Sequence, residues 1–308
     1  FTAAEAAEFL DQVMGLSLSA ADVAALEDRT EGWIAGLQLA ALSMQNHQDV
    51  HGFIKAFAGD NRYIVDYLVE EVLQRQSEVT RCFLLQTAIL DRLSGPLCAA
   101  VTGQPDSKAQ LEALERGNFF VVPLDDRRHW YRYHHLFAEV LRVHLAADLP
   151  EQLSPLHGRA SAWYEQHGSV NDAIHHAIAA QNFERAANLI ERAIPEIRRT
   201  RQESTLLGWL RTLPNELVRN RPVLSAHYAW VLLAQGEMDG VETRLLDAEQ
   251  SLDRRAEENR RPQDQMGNIV AAEEQEARRL PSSIAIYRAG HSLASGDVHA
   301  TITYAQHA

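Results

Sequence analysis

The adjacent histidines at 134 and 135, in the stretch YRYHHLFAEVLR, are the side chains of this sequence best equipped for chemistry. An imidazole titrates near neutrality, donates or accepts a hydrogen bond and ligates metals. A pair where a strand pattern gives way to a helical one therefore has four readings: ligands, acid–base groups, an anion sensor or packing. Strand alternation sends Trp130, Arg132 and His134 to one side and Tyr131, Tyr133 and His135 to the other. One histidine would then face a cleft while the other packs into the domain. The plain alternative is that both are partly buried and satisfied by backbone groups.

Other candidates are weaker. His175 and His176 adjoin on a helical pattern, where neighbours project about 100° apart, so they do not readily share an ion, and no metal site is expected. Cys82 and Cys98 lie in apolar helical contexts without a CxxC partner and read as buried thiols. Asp125 and Asp126 follow the apolar run FVVPL as magnesium-holding acids would, but Arg127, Arg128 and a second strand pattern come directly after. Capping the turn is the simpler role. No Gly-Lys pair occurs, so the phosphate cradle of a P-loop is missing, as are HExxH, GxSxG and a cysteine nucleophile motif. No catalytic residue is assigned.

The elements that position these residues read as mainly helical. TAAEAAEFLDQVMG opens with a capping box, Thr2 and Glu5, and stops at Gly15; SAADVAALEDRTEGW repeats the plan with Ser19 as cap; WIAGLQLAALSM is an apolar helix. NRYIVDYLVEEVLQRQ, RCFLLQTAIL, SGPLCAAVTG and SKAQLEALERG continue the series, the third with Pro96 in its first turn and Gly103 after its end. NFFVVPLDDRRHWYRYHH then changes period to a β-hairpin around DDRR. Helices followed by a hairpin and a helix are the parts of a winged helix. The fold class expected is mainly α: a helical subdomain over 1–51, a winged-helix domain over 52–148, and tetratricopeptide-like helical repeats over 149–308. LPEQLSPLHG, with Pro150 and Pro155, marks the second boundary. Gly236 and Gly296 punctuate similar segments sixty positions apart, an irregular repeat. DRRAEENRRPQDQMGNIVAAEEQEARRLP reads equally as a loop or a solvated helix.

Composition bounds function. The 308 residues suit two or three domains, and 46% hydrophobic with 23% charged residues is the balance of a globular protein. A net charge of −13, from 42 acidic and 29 basic residues, opposes phosphate backbones and anionic lipid. With no run of 18 apolar residues and no leader, the expected compartment is the cytoplasm. Opening on Phe1 inside a helical pattern suggests a piece of a longer protein.

Taken together, RTEGWIAGLQLAALSMQ, VDYLVEEVLQRQ, LCAAVTG, NFFVVPLDDRRHWYRYHHLFAEVLR and ASAWYEQHGSVNDAIHHAIAAQNFERAANLIE resemble the central portion of the large ATP-binding regulators of the LuxR family. This is the group that includes the bacterial activator of maltose genes, and the resemblance spans about residues 1–250. It implies a slow signal-transduction ATPase whose P-loop domain lies upstream and whose DNA-binding domain lies downstream. ADP would hold it off; an inducer at the repeats would favour ATP, self-association and transcription activation. In related switches a Met-His-Asp motif at the hairpin-to-helix junction sets its histidine on the ADP phosphate. YHH occupies that junction, making His134 the candidate, with His135 in place of the aspartate. GLQLA resembles the GLPLA element beside adenine, which implicates Gly36, Leu37 and Gln38, the last replacing its proline. ATP or ADP would thus be bound mainly outside this chain, as would DNA, and no membrane partner is expected. The competing reading is a nucleotide-independent helical-repeat adaptor for protein contacts. A winged-helix DNA binder, resting on DDRR and Arg132, is a third.

Overall fold

The computed structural model describes residues 2–16, 18–44, 54, 73–74, 76–117, 119–259 and 271–308. The expected boundary at 51/52 and most of the helix expected from Asn61 lie outside these residues, as do 260–270 of the charged segment. The chain divides into two compact units, Phe1–Trp163 and Tyr164–Ala308.

In the first unit α1 (Ala3–Glu8) starts on the Thr2/Glu5 capping box and runs on as a π-helical turn over Phe9–Val13. The Ser19 hydroxyl caps α2 (Ala20–Thr30) by accepting from the Asp22 amide. This helix ends on Glu31, in the left-handed conformation at φ 49°, followed by Gly32 at φ 70°. Two left-handed residues in succession turn the chain sharply into α3 (Ile34–Met44).

The winged helix is built from α4 (Glu78–Thr87), α5 (Gly95–Thr102), α6 (Ser107–Arg116), the hairpin β1 (Val121–Pro123) and β2 (Tyr131–Tyr133), and α7 (His135–Asp148). Its core is Phe83, Leu84, Leu97, Leu111, Tyr131, Phe137 and Leu141, all fully or almost fully buried, each contributing about 1.5–3 kcal/mol of burial. The strands pair antiparallel with Val121 opposite Tyr133 and Pro123 opposite Tyr131. Tyr131 also exchanges two 2.8 Å backbone bonds with Leu93, which ties the hairpin to the loop after α4. The turn is closed by the Asp125 carboxylate, which accepts from the amides of Arg127, His129 and Trp130. That is the capping role read from the sequence. Gly103, at φ 76°, ends α5 as expected. Within LPEQLSPLHG, α7 gives way at Leu149 to α8 (Pro150–Gln166), which begins on Pro150, where a missing amide costs nothing, and continues through Pro155.

The second unit is helical throughout its described residues. It holds α9 (Val170–Ala179), α10 (Phe183–Thr200), α11 (Glu203–Thr212), α12 (Asn215–Arg219), α13 (Pro222–Ala234), α14 (Val241–Asn259), α15 (Ala271–Ala294) and α16 (Val298–Gln306). Successive helices pack as antiparallel pairs of tetratricopeptide type, α9 on α10, α13 on α14 and α15 on α16, and α13 also packs against α15 of the following pair. Gly168, Gly236 and Gly296, at φ 75–81°, each sit two residues past the end of α8, α13 and α15 respectively. This shared left-handed turn is the physical source of the repeated punctuation. Arg288 of α15 clamps α14 by bonding both Glu242 and Glu249, and it lies against the ring of Tyr304 on α16.

Candidate functional site

The hairpin delivers Arg132, His134 and His135 to the turn that ends α2. Arg132 lies in the middle of β2, flanked by buried Tyr131 and Tyr133, so the core fixes its backbone and aims its side chain outward. Its guanidinium grips Glu31 with two parallel bonds, Nη1 to Oε1 at 2.8 Å and Nη2 to Oε2 at 2.9 Å. His135 Nδ1 adds a third contact to Glu31 Oε1 at 3.0 Å. Burial alone would raise the Glu31 carboxyl, but the bonds from Arg132 and His135, with the nearby charges, hold it below the ordinary 4.5.

His134 is 6% exposed. Its Nε2 lies 2.8 Å from the Thr30 carbonyl, an acceptor only, so Nε2 carries the proton and donates. The same carbonyl accepts from the Trp33 amide at 2.8 Å. Burial is the main reason the His134 pKa falls below the ordinary 6.5, leaving a neutral ring. Nδ1, then a bare lone pair, has no hydrogen-bond partner among the described residues. Around the ring stand Trp33 at 5.9 Å and Phe120 at 6.1 Å, both edge-on, with Phe120 in turn edge-on to Trp33 and tilted on Phe137. The His134 amide donates to the Phe120 carbonyl at 2.7 Å.

The alternation expected for the two histidines does not hold. β2 ends at Tyr133, and His134 is the residue that caps α7, at φ −56° and ψ 134°. Once the chain leaves the strand, face alternation lapses. Both imidazoles reach the same turn and stack with ring centroids 4.9 Å apart and planes 17° apart. No side chain caps α7. A carboxylate is nonetheless present beside His135, supplied by Glu31 from a hundred residues upstream.

Of the residues implicated by GLQLA, Gly36 and Leu37 are buried and Gln38 is exposed. Gly36 lies directly against Trp33: a Cβ there would stand 2.4 Å from Trp33 Cε3. Trp33 therefore links Gly36 to His134, whereas Gln38 takes no part. Glu31, Thr30, Trp33 and Phe120 were not among the sequence candidates. Glu-Gly after a helix pattern was a legible turn signal, but nothing in one sequence pairs Glu31 with Arg132.

Glu31, His134 and His135 also bring three potential metal-ligand atoms within 4.8 Å of one another. The arrangement suits an ion poorly. A metal binds in the plane of each imidazole, and two nearly parallel stacked rings have no common in-plane point between them. The carboxylate is already held by a guanidinium. The geometry is instead that of a contact in which Glu31, Arg132, His135 and His134 Nε2 bond within the protein, with His134 Nδ1 left without a partner among the described residues.

Residues 69–153 match the family described as the MalT winged helix domain. The span takes in the described part of α4 to α7, the hairpin and the His134–His135 junction. Over 256 residues the chain is 34% identical to the serine/threonine-protein kinase PknK of Mycobacterium tuberculosis and to that of Mycobacterium bovis, covering 81% of this chain. The chain spans 23% of the length of those relatives. Neither His-Arg-Asp nor Asp-Phe-Gly occurs in the sequence, so it lacks the kinase signatures that hold the catalytic aspartate and magnesium. What is shared is a MalT-like winged helix and part of a large multidomain protein. No helix among the described residues is long and apolar enough to cross a membrane.

Proposed function

We propose that this chain is a regulatory protein-interaction module. Its winged helix holds the α1–α3 segment through Glu31, Arg132, His134 and His135, and its helix pairs receive a protein partner, without needing nucleotide. The observation that carries this reading is the His134 ring: its one proton is already donated to Thr30 inside the protein, and the neighbouring Glu31 carboxylate is held by Arg132 and His135. Stacked helix pairs supply an extended surface of the kind that binds peptides and proteins. Unfolding of the 308-residue chain should be unmoved by 1 mM ADP or ATP with magnesium. A ligand that bound with a dissociation constant a hundredfold below its concentration would add about 2.7 kcal/mol, a shift easily seen.

The second reading is the regulatory and sensor portion of an ATP-dependent LuxR-type regulator, with ATP or ADP held mainly by another domain. Two observations favour it: His134 and Gly36 meet on one tryptophan, and the His134 lies at the strand–helix junction where related switches place a phosphate contact. ADP phosphate would then replace the Thr30 carbonyl as the acceptor for Nε2. In the parent protein His134→Ala would speed ADP release and raise basal activity, and an unchanged ADP dissociation rate rejects the assignment. An inducer at the repeats, self-association and DNA contact through a further domain belong to this reading alone.

DNA binding by the winged helix itself draws no support. α6, the helix preceding the wing, carries Glu112 and Glu115 beside Lys108 and Arg116, and the wing's Arg128 is paired with Glu115 at 3.1 Å. Duplex DNA should show no retardation with this chain at 150 mM salt.

A further inference from the structure

The second unit holds a polar cavity of about 240 Å³ lined by Glu216, Arg219, Asn220, Asp247, Gln250 and Arg254. One wall is α12 with its capping residue Asn220, and the other is α14. Glu216, Arg219 and Asn220 stand at i, i+3 and i+4, and Asp247, Gln250 and Arg254 at i, i+3 and i+7, so each trio occupies one helix face. Ser251, itself 2% exposed, joins the walls by donating its hydroxyl to the Asn220 carbonyl at 3.0 Å. Asp247 is the buried member, 7% exposed. Its Oδ1 accepts from Arg219 Nε at 3.1 Å and its Oδ2 from Arg244 Nη1 at 3.5 Å. Arg244 is fixed in turn against the ring of Tyr228.

The groups left free in the cavity indicate what fits. Arg185, Arg192, Arg199, Arg211, Arg221 and Arg288 of the same unit each direct a terminal guanidinium nitrogen to a carboxylate. Arg219 and Arg254 do not. Each is held by its Nε, Arg219 on the Asp247 carboxylate and Arg254 on the Gln250 carbonyl at 3.3 Å, so the Nη atoms of both have no partner among the described residues. Three guanidiniums, those of Arg219, Arg244 and Arg254, here outweigh the carboxylates of Glu216 and Asp247, in a chain of net charge −13. Such a local surplus attracts an anion. A carboxylate fills one guanidinium fork, whereas a phosphate monoester, with three acceptor oxygens and about two negative charges near neutrality, fills two. The amides of Asn220 and Gln250 and the carboxylate of Glu216 suit hydroxyl groups. We infer that the cavity binds the phosphate monoester of a small hydroxylated compound, a sugar phosphate by class. Asp247 is a positioning residue: it turns Arg219 so that its two terminal nitrogens face the ligand. The cavity falls below the range of about 300–1,000 Å³ that holds drug-sized ligands, which excludes a nucleotide. The inference goes beyond the protein-interaction reading and does not depend on it.

The test is amide exchange of the intact 308-residue chain with glucose 6-phosphate and glycerol 3-phosphate as probes. At about 5 mM either should slow exchange in α12 and α14 at least about fivefold and leave α4 to α7 unchanged. Glucose, ADP, and gluconate, which keeps the hydroxyls but carries a carboxylate, should slow neither helix. Arg254→Gln should weaken glucose 6-phosphate binding at least about tenfold, the loss of one charge-assisted bond. Its unfolding midpoint should stay where it was, because Arg254 is exposed and pairs with no carboxylate. Arg219→Gln should weaken binding as much. Arg211→Gln, whose guanidinium is engaged with Glu237 outside the cavity, should leave it unaltered. Absence of protection by both probes overturns the inference, as does binding undiminished by Arg254→Gln. Equal protection by gluconate would reassign the cavity to carboxylates. Equal protection by inorganic phosphate or ADP would show that the hydroxylated part of the ligand is not read, and the sugar-phosphate assignment falls.

Discussion

At the residue scale the contact between β2, α7 and the end of α2 is set by four side chains, and their chemistry makes it sensitive to both substitution and acid. Arg132→Ala removes two charge-assisted bonds and leaves Glu31 in a left-handed conformation that a non-glycine residue adopts at a cost. Charge-assisted bonds are worth about 1.5–3 kcal/mol, discounted here for partial exposure, so the loss should be about 1–2 kcal/mol. A urea-denaturation cycle with Glu31→Ala should show the two changes to be non-additive; simple additivity would mean the pair contributes nothing as a pair. The acid response follows from two depressed pKa values. Below pH 6.5 the unfolded chain takes a proton on His134 that the folded chain refuses, and below about pH 4.5 the same holds for Glu31. Unfolded chains then bind more protons than folded ones, so stability is complete above pH 6.5 and falls as pH drops. His134→Gln, whose amide can still donate to Thr30, removes the first of these losses. Its unfolding midpoint should fall less than that of the unchanged protein between pH 7.5 and 5.5, and equal falls would show that His134 carries none of the effect.

At the scale of elements, what was local was legible and what was long-range was not. The capping box at Thr2, the Ser19 cap, Pro96 and Gly103 at the ends of α5, and the hairpin closed by Asp125 are each decided within a few residues, and all are found where the pattern put them. The histidine pair was misread because periodicity holds only inside an element, and His134 is the first residue outside β2. The Glu31–Arg132 pairing was illegible for a different reason: it joins positions 101 apart, and a single sequence carries no record of which distant charges meet. LPEQLSPLHG, read as a domain boundary, is where one helix gives way to the next, at Leu149 between α7 and α8, with Pro150 at a helix start. Gly36 shows how an element serves the site. With a Cβ only 2.4 Å from Trp33, Gly36→Ala must push the indole toward His134 and Phe120, at about 1–3 kcal/mol for overpacking. Because Gly36 and His134 act on the same ring, Gly36→Ala should cost markedly less in a His134→Ala background, as measured by urea midpoints. An equal cost in both backgrounds would mean that α3 and the junction are not coupled through Trp33.

At the scale of the whole molecule, two units with separate cores should respond separately. The first is organised around Phe83, Phe137 and Tyr131; the second around α13, which is buried along most of its length, and the Arg288 clamp on Glu242 and Glu249. The irregular sixty-residue interval between Gly236 and Gly296 has its cause in the second unit. The same glycine turn lies inside the pairs, between α13 and α14 and between α15 and α16, and the sixty residues from one to the next hold α14 and α15, helices of 19 and 24 residues, longer than the halves of a repeat of about 34 residues. Amide exchange on the intact chain tests the independence of the units directly, since local openings report the cooperative body they belong to. Arg132→Ala should speed exchange in α2, α3 and α7 and leave α9 to α14 unchanged. Arg288→Met keeps an apolar stem against Tyr304 but releases two carboxylates toward each other, and it should speed exchange in α14, α15 and α16 while leaving α2 to α7 unchanged. Should either change accelerate both units together, the two would be one cooperative body. An event at the helix pairs would then reach Glu31 and His134 directly, which is what a sensor requires of its repeats and an adaptor does not.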